Sequence, residues 1–394
     1  MNELAGKHIV IVPAWWPSPE QPQAGIFFQD YVAAFSAAGA TVGVIYPDLV
    51  GLRHWGRGER KPIFPRITHE ESTAAAPVVR IRGLQSSFGS VARQARRTRD
   101  WLARGLRAYR DRVGEPDLLH AMCAVPTAWA CANLDDPLAK RVVLTEHTGP
   151  FSLVMQSDES SALARGAFRA VVSRVAVSDH LRRQIVAAGI DDSIEVIGNP
   201  VSDMFTPADA GDRSPSDRVR ALYVGRLTRE KGIPMLVGAI ESALDVAKAC
   251  EFHIVGDGPL GVTLAPFEHD PERRVTRHAA CPRAEVVSHM RRADFLVHPT
   301  LGETFGMTVA EALCTGLPVV TTRGVACAEF IDDDNGILVE PGDERALAAG
   351  LKQMIARHRD YDRAAIAARA RSRFSGAAVA AAYRDPYERA IVAR

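Results

Sequence analysis

Apolar and polar positions follow two rhythms along this chain: short unbroken apolar runs, and longer stretches with helical period between them. That alternation predicts an α/β fold. The run over residues 8–12, ended by Pro13, predicts a buried strand. A loop rich in proline (Pro13, Pro17, Pro19, Pro22) then leads to Gly25, and a helix is predicted over residues 26–38, with Gly39 at its end. Residues 41–46 supply the next strand. The chain thus opens with a βαβ unit whose first loop leaves the C-terminal edge of a strand, where open α/β sheets bind ligands. The same order returns about two hundred residues later. A strand over 220–224 leads through a charged loop to a helix with Pro234 in its first turn, then a strand over 251–255 and the turn Gly256-Asp257-Gly258-Pro259. Further strands are predicted at 142–145, 170–177, 194–197, 295–298, 318–321 and 336–339, and the Ala-rich tail 346–394 is predicted helical.

Two similar-sized α/β domains follow. The turn Gly198-Asn199-Pro200 and the polar stretch 206–217 behind it mark the boundary, giving domains over 1–199 and 200–375 and a final segment over 376–394. The length of 394 residues agrees, at roughly 100 to 200 per domain.

Composition changes this picture mainly by exclusion. With 48 basic and 47 acidic residues the formal net charge is +1, so no whole-chain field selects nucleic acid as a partner. The 47% hydrophobic and 24% charged content is that of a protein that folds in water. No stretch approaches the roughly 20 apolar residues of a spanning helix, and the apolar run after Lys7 is too short for a signal peptide. Six cysteines (Cys123, Cys131, Cys250, Cys281, Cys314, Cys327) form no C-x-x-C pair, which suits reduced thiols in a cytoplasm.

The densest chemical signal runs from Leu296 through His298-Pro299-Thr300-Leu301-Gly302-Glu303-Thr304-Phe305-Gly306-Met307 to Glu311 and Gly316-Leu317-Pro318. A strand here meets a helix N-terminus, and the backbone N–H groups of Phe305, Gly306 and Met307 would present the positive end of that helix to a phosphate. Glu303 precedes the helix and Glu311 lies about two turns inside it. Two carboxylates flanking an anion site can accept hydroxyl hydrogen bonds, as a nucleotide-sugar would require; a helix cap and a salt-bridged helix residue are the plainer alternatives. A second group, Gly225-Arg226-Leu227-Thr228-Arg229-Glu230-Lys231-Gly232, follows the first strand of the second domain. Arg226 and Lys231 there can neutralise a diphosphate together, or belong to an exposed charged loop. Gly256-Asp257-Gly258 lacks the third glycine of a dinucleotide fingerprint and reads as a tight turn.

Taken together, these motifs resemble the GT-B glycosyltransferases, specifically the retaining family 4 type. Its Glu-x7-Glu motif is matched by Glu303 and Glu311, and its Gly-Arg-Leu…Glu-Lys-Gly loop by Gly225, Arg226, Leu227, Glu230, Lys231 and Gly232. The Gly-Asp-Gly-Pro turn, Gly198-Asn199-Pro200-Val201 and Asn335-Gly336-Ile337-Leu338-Val339 match in order. The resemblance implies two Rossmann-like domains facing each other across a cleft, with acceptor on the first and nucleotide-sugar on the second. It implies that Arg226 and Lys231 hold the donor phosphates, Glu303 the transferred sugar, and Glu311 the ribose, with Gly225 and the backbone at Phe305, Gly306 and Met307 completing the site. In the first domain, Thr145-Glu146-His147-Thr148-Gly149 resembles the segment whose histidine faces the donor sugar, making His147 a catalytic candidate, with a structural histidine as the alternative. His120 is a weaker one. The loop ending at Gly25 resembles the family's loop over acceptor and diphosphate, where Trp15 and Trp16 would either stack on a sugar or pack on the following helix. The final helix, with Tyr383 and Tyr387, is implied to return to the first domain.

By the same resemblance the reaction retains anomeric configuration and needs no metal or other cofactor, and Asp332-Asp333-Asp334 reads as an exposed turn. The implied partners are a UDP- or GDP-linked hexose and a glycan or lipid-linked acceptor, in bacterial surface polysaccharide synthesis. A small soluble glycoside as product, or an inactive donor-binding subunit, are the alternatives. The sequence predicts a helix over 91–113 with an apolar stripe (Val91, Ala95, Leu102, Leu106, Tyr109, Val113) and arginines elsewhere, either a surface helix of the first domain or a contact to anionic lipid on the inner face of a membrane. Arg53, His54, Arg57, Arg60 and Lys61 form a second basic segment.

Overall fold

The computed structural model describes residues 3–18, 21–51, 65–72, 74–85, 90–190, 193–208, 218–242, 250–268 and 275–393. The basic segment from Arg53 to Lys61, Pro19 and residues 209–217 of the polar stretch lie outside them. The chain divides into two compact units, Met1–Pro200 with Gly376–Arg394, and Val201–Ser375.

The first unit is built on one sheet in the order β3-β4-β2-β1-β5-β6-β7-β8. Its strands are β1 (His8–Val12), β2 (Thr41–Gly51), β3 (Arg66–Glu71), β4 (Pro77–Gln85), β5 (Leu118–Met122), β6 (Val142–Glu146), β7 (Ser173–Ala176) and β8 (Glu195–Val196). The middle strands β5 and β6 are buried at every residue. Covered on both faces, they are mostly apolar, as expected of parallel strands inside an α/β sheet, with His120 in β5 and Thr145 and Glu146 at the end of β6 as buried polar exceptions. The polar strand β3 pairs antiparallel with β4 at the edge, so the sheet is not wholly parallel. Neither strand carries an apolar run that predicts it. β3 is mostly exposed, and β4 is interrupted by Arg80 and Arg82. Arg80 is nevertheless buried, donating to Glu70 at 3.0 Å and to the Pro17 carbonyl at 2.7 Å.

The helix Val91–Arg112 is capped by Ser90, which accepts from the Arg93 N–H. Ala95, Leu102, Leu106 and Tyr109 are buried, and the Tyr109 hydroxyl lies 2.8 Å from Nε2 of His8. The apolar stripe is therefore a core contact, while Arg93, Arg96, Arg104 and Arg107 stay exposed. The expected strand over 170–177 is shorter than predicted, because the helix Asp158–Ala170 keeps its last residue and β7 begins at Ser173.

The second unit has the sheet order β11-β10-β9-β12-β13-β14, with β9 (Val219–Val224), β10 (Cys250–Val255), β11 (Val275–His278), β12 (Phe295–His298), β13 (Val319–Thr322) and β14 (Gly336–Val339), every pair parallel. This is the doubly wound order, and its strand sequence reverses between β9 and β12. The Ala-rich tail resolves into helices Glu344–Arg357, Arg363–Phe374, Gly376–Ala382 and Arg384–Val392, the first two capped by Asp343 and Asp362. The last two belong to the first unit, where Tyr383 and Tyr387 are fully buried. Their hydroxyls lie 2.7 Å from Oγ1 of Thr145 and 2.8 Å from Nδ1 of His120. Among the described residues no helix is long and apolar enough to cross a membrane.

Candidate active site

In a doubly wound sheet, ligands bind in the crevice outside the carboxyl ends of the strands, at the point where the strand order reverses. In the second unit the loops at that point are the ones after β9 and β12, which carry the two motifs singled out from the sequence. The carbonyl of Glu230 ties them together. It accepts from the Leu301 N–H at 2.8 Å and from the Thr300 hydroxyl at 3.2 Å. Approach is close at Gly232, which has φ +77° and where a Cβ would fall 1.8 Å from the Pro299 carbonyl oxygen, so only glycine fits.

This junction puts Lys231 against Glu303. Nζ of Lys231 lies 2.6 Å from Oε1 of Glu303, and Nε2 of His298, the last residue of β12, lies 3.0 Å from the same oxygen. All three side chains are largely buried. Burial by itself would raise the Glu303 pKa, but the hydrogen bond to His298 and the charge of Lys231 outweigh it and bring it down to about 2. The carboxylate is therefore held ionised. Lys231, expected on a diphosphate, is engaged with Glu303 in this structure.

Arg226 extends outward, with a side chain 71% exposed, and pairs with Glu230 at 2.5 Å. It is an exposed, ion-paired cation outside the buried cluster. Gly225 continues β9 by donating to the Val255 carbonyl at 3.1 Å. In the Gly256-Asp257-Gly258 turn, the Asp257 carbonyl accepts from the Leu227 N–H and its side chain from the Ala280 N–H. That turn thus braces the Arg226 loop.

The helix Met307–Cys314 begins at Gly306, and no side chain caps it. Gly306 has φ +95°, and a Cβ there would lie 2.4 Å from Cβ of Cys327. Glycine is required by backbone conformation and internal packing, a different reason from ligand approach. The Phe305 ring is buried against Phe330 and Phe374, so only its backbone is left to meet a ligand. Glu311 is buried and accepts from Nη2 of Arg283 at 3.0 Å, which makes it a salt-bridged helix residue here. Asp332-Asp333-Asp334 forms a turn, with Asp332 bound by Arg369 at 2.8 Å and by the Asp334 N–H. Among the described residues no group of three or more His, Cys, Asp or Glu is placed to hold a metal ion.

In the first unit, His147 follows β6 with its ring edge-on to Phe28 at 5.0 Å and Nε2 at 3.4 Å from Sδ of Met122. Nδ1 is buried and takes no partner among the described residues. Burial lowers its pKa to about 3, so the ring is neutral at pH 7. His120 has both nitrogens satisfied, by Tyr387 and Thr145, and is a structural histidine rather than a catalytic one. Glu146, which sequence reasoning passed over, is fully buried and accepts N–H bonds from Ala124, His147 and Thr148 at 2.7 to 2.9 Å. Burial raises its pKa against those bonds. A carboxylate beside a histidine at a strand end is the signal that could have found it. Gly25 lies against the Trp15 carbonyl. Trp16 is buried in the core, which decides for packing, while Trp15 stacks on Phe28 and stays 43% exposed.

Two α/β units on largely parallel sheets are the architecture of the GT-B class, and solved structures of that architecture match nearly the whole chain. Sucrose-phosphate synthase from Thermosynechococcus elongatus superposes with a TM-score of 0.74 at 18% identity, covering 97% of this chain and 98% of the other. Anabaena HepE in complex with UDP does so with a TM-score of 0.66 at 16% identity, covering 97% and 99%. A profile of Glycosyltransferase Family 4 matches residues 25–205, and one of Glycosyl transferases group 1 matches residues 218–357. The chain belongs to the glycosyltransferases, of the family 4 type. The TuaC glycosyltransferase of Bacillus subtilis, assigned by inference to teichuronic acid biosynthesis, is 28% identical over 361 residues, 87% of this chain and 88% of that relative.

Proposed function

We propose that this glycosyltransferase moves a hexose, with retention, from a UDP- or GDP-linked donor to a glycan or lipid-linked acceptor in bacterial surface polysaccharide synthesis. The observation that carries the donor assignment is the buried Lys231–Glu303 pair beside an uncapped helix N-terminus, at the crevice of a doubly wound sheet. Glu303 supplies an ionised acceptor for sugar hydroxyls, and Arg226 and Lys231 supply cations for the diphosphate. Backbone groups at Phe305, Gly306 and Met307 complete the phosphate cradle, with Glu311 on the ribose and Gly225 at the loop start. Within the first unit, His147 takes a catalytic role and the Gly25 loop an acceptor-side role. The near full-length likeness to a glycosyltransferase of teichuronic acid biosynthesis supports a glycan acceptor.

In the reaction, the bond between the anomeric carbon and the diphosphate oxygen breaks while the acceptor oxygen bonds to that carbon from the vacated face. The acceptor proton passes to the departing diphosphate. Arg226, Lys231 and the helix dipole stabilise the charge that develops there, so no metal ion is required. The enzyme works in the cytoplasm, and the exposed arginines of the helix Val91–Arg112 offer a peripheral contact to anionic lipid. The test is incubation with UDP- and GDP-hexoses and lipid-linked glycans, with product anomers read by NMR. Transfer with retained configuration supports the proposal; an inverted product, or turnover that requires a divalent metal, contradicts it.

A further inference from the structure

The Lys231–Glu303 pair raises a problem of its own. If Lys231 turns to the donor diphosphate, as the function proposed above requires, it must leave Glu303, and a buried carboxylate that loses its cation is free to swing or to take up a proton. The second donor on the same oxygen is His298.

Its ring is fully buried and lies nearly parallel to Tyr223, with centroids 6.3 Å apart. The Tyr223 hydroxyl donates to the Arg226 carbonyl at 2.9 Å, and the His298 carbonyl accepts from the Thr321 hydroxyl at 2.7 Å. The backbone of His298 is thus fixed by a group other than Glu303, and its ring packs beside Tyr223. Nδ1 of His298 is buried and takes no partner among the described residues, so its one hydrogen bond is spent on Glu303. Both donors converge on Oε1 of Glu303, and Oε2 takes no donor from the described residues.

We infer that His298 is a positioning residue: it holds Oε1 of Glu303 so that Oε2 stays aimed at a donor-sugar hydroxyl when Lys231 moves to the diphosphate. Bare UDP or GDP lacks the transferred hexose whose hydroxyls Glu303 would grip, so His298 matters to sugar transfer and hardly to nucleotide affinity. A hydrogen-bond donor placed where Nε2 stands suffices, and the side-chain amide of glutamine reaches there.

The experiment compares His298→Leu, which keeps an apolar filling but loses the donor, with His298→Gln, which keeps a donor. The inference rests on the proposed function, so one readout needs activity and one does not. In His298→Leu, kcat should fall about tenfold to hundredfold while the UDP or GDP dissociation constant stays within about threefold, and His298→Gln should recover most of kcat. A merely structural histidine would show both variants impaired alike with equal losses in melting temperature, and that pattern overturns the inference, as does unchanged kcat in His298→Leu. Independently of any substrate, the carboxyl titration of Glu303 followed by carbon NMR should move upward in His298→Leu and remain low in His298→Gln. An unmoved titration in His298→Leu refutes the positioning role even if no sugar donor is found. No turnover by the wild-type protein, with the titration behaving as expected, instead refutes the proposed function alone.

Discussion

The ammonium of Lys231 lies 2.6 Å from Oε1 of Glu303, joining two residues 72 positions apart in the loops that follow adjacent strands. The contact links the two sequence motifs of the second unit into one cluster and, together with the hydrogen bond from His298, keeps the carboxylate ionised.

Removing the lysine tests that link. Lys231→Met leaves Glu303 with His298 as its remaining donor, and unfolding in urea should show a loss of about 1.5 to 3 kcal/mol, the worth of a buried charge-assisted bond. Adding Glu303→Gln to that variant should recover part of the loss, because the unpaired charge is gone. An equal loss in the double variant would mean that packing, not the ion pair, is at stake.

Glu303 also predicts a pH dependence. Its pKa falls from the ordinary 4.5 to about 2 in the folded protein, so the stabilisation from its ionised form is complete above about 4.5 and is lost as pH falls toward 2. The stability advantage of the wild type over Glu303→Gln should therefore shrink as pH is lowered from 5 to about 3. A constant difference would contradict the depressed pKa.

The histidines of the first unit act in a higher window. His120 and His147 are both lowered by burial from 6.5 to about 3, so the unfolded chain binds their protons first. Their contribution is intact above 6.5 and is lost as pH falls below it, by about 2 kcal/mol for each histidine at pH 5. Chemical denaturation of wild type and His120→Gln between pH 7 and 5 measures this, and the variant should show the shallower slope.

His147 has a further consequence for catalysis. His147→Ala should leave nucleotide affinity nearly unchanged and reduce transfer by about a hundredfold, the usual scale for a positioned polar group. A parallel fall in nucleotide affinity would place its role elsewhere.

Much of this site was legible because the chemistry lies in contiguous segments. Glu303, Lys231 and Arg226 sit in loops that follow apolar runs, and strand ends carry function in α/β sheets. What periodicity does not reveal is which loops meet. The bonds from Thr300 and Leu301 to the Glu230 carbonyl depend on β9 lying next to β12, a relation between strands about seventy residues apart. His298 stands within the densest signal but its role was not legible for a related reason: as the last residue of a fully buried strand it reads as core, and only the position of Glu303 gives its nitrogen a purpose. The hairpin of β3 and β4 escaped because its outer strand faces water and its inner strand buries an arginine, so neither shows the expected alternation. Glu311, readable as a ribose ligand or a salt-bridged residue, is bound to Arg283, a contact 28 positions away that spacing does not disclose.

The central claim is a donor site in the second unit, and calorimetric titration with UDP, GDP and ADP tests it most directly, on the wild type and on Arg226→Ala and Glu311→Gln. Glutamine keeps an acceptor for Arg283, and Arg226 is exposed enough that its loss should change stability by no more than about 0.5 kcal/mol. The account predicts selective binding of UDP or GDP, weakened about tenfold or more by each substitution. Binding of none of the three nucleotides, or affinity indifferent to both substitutions, would contradict it.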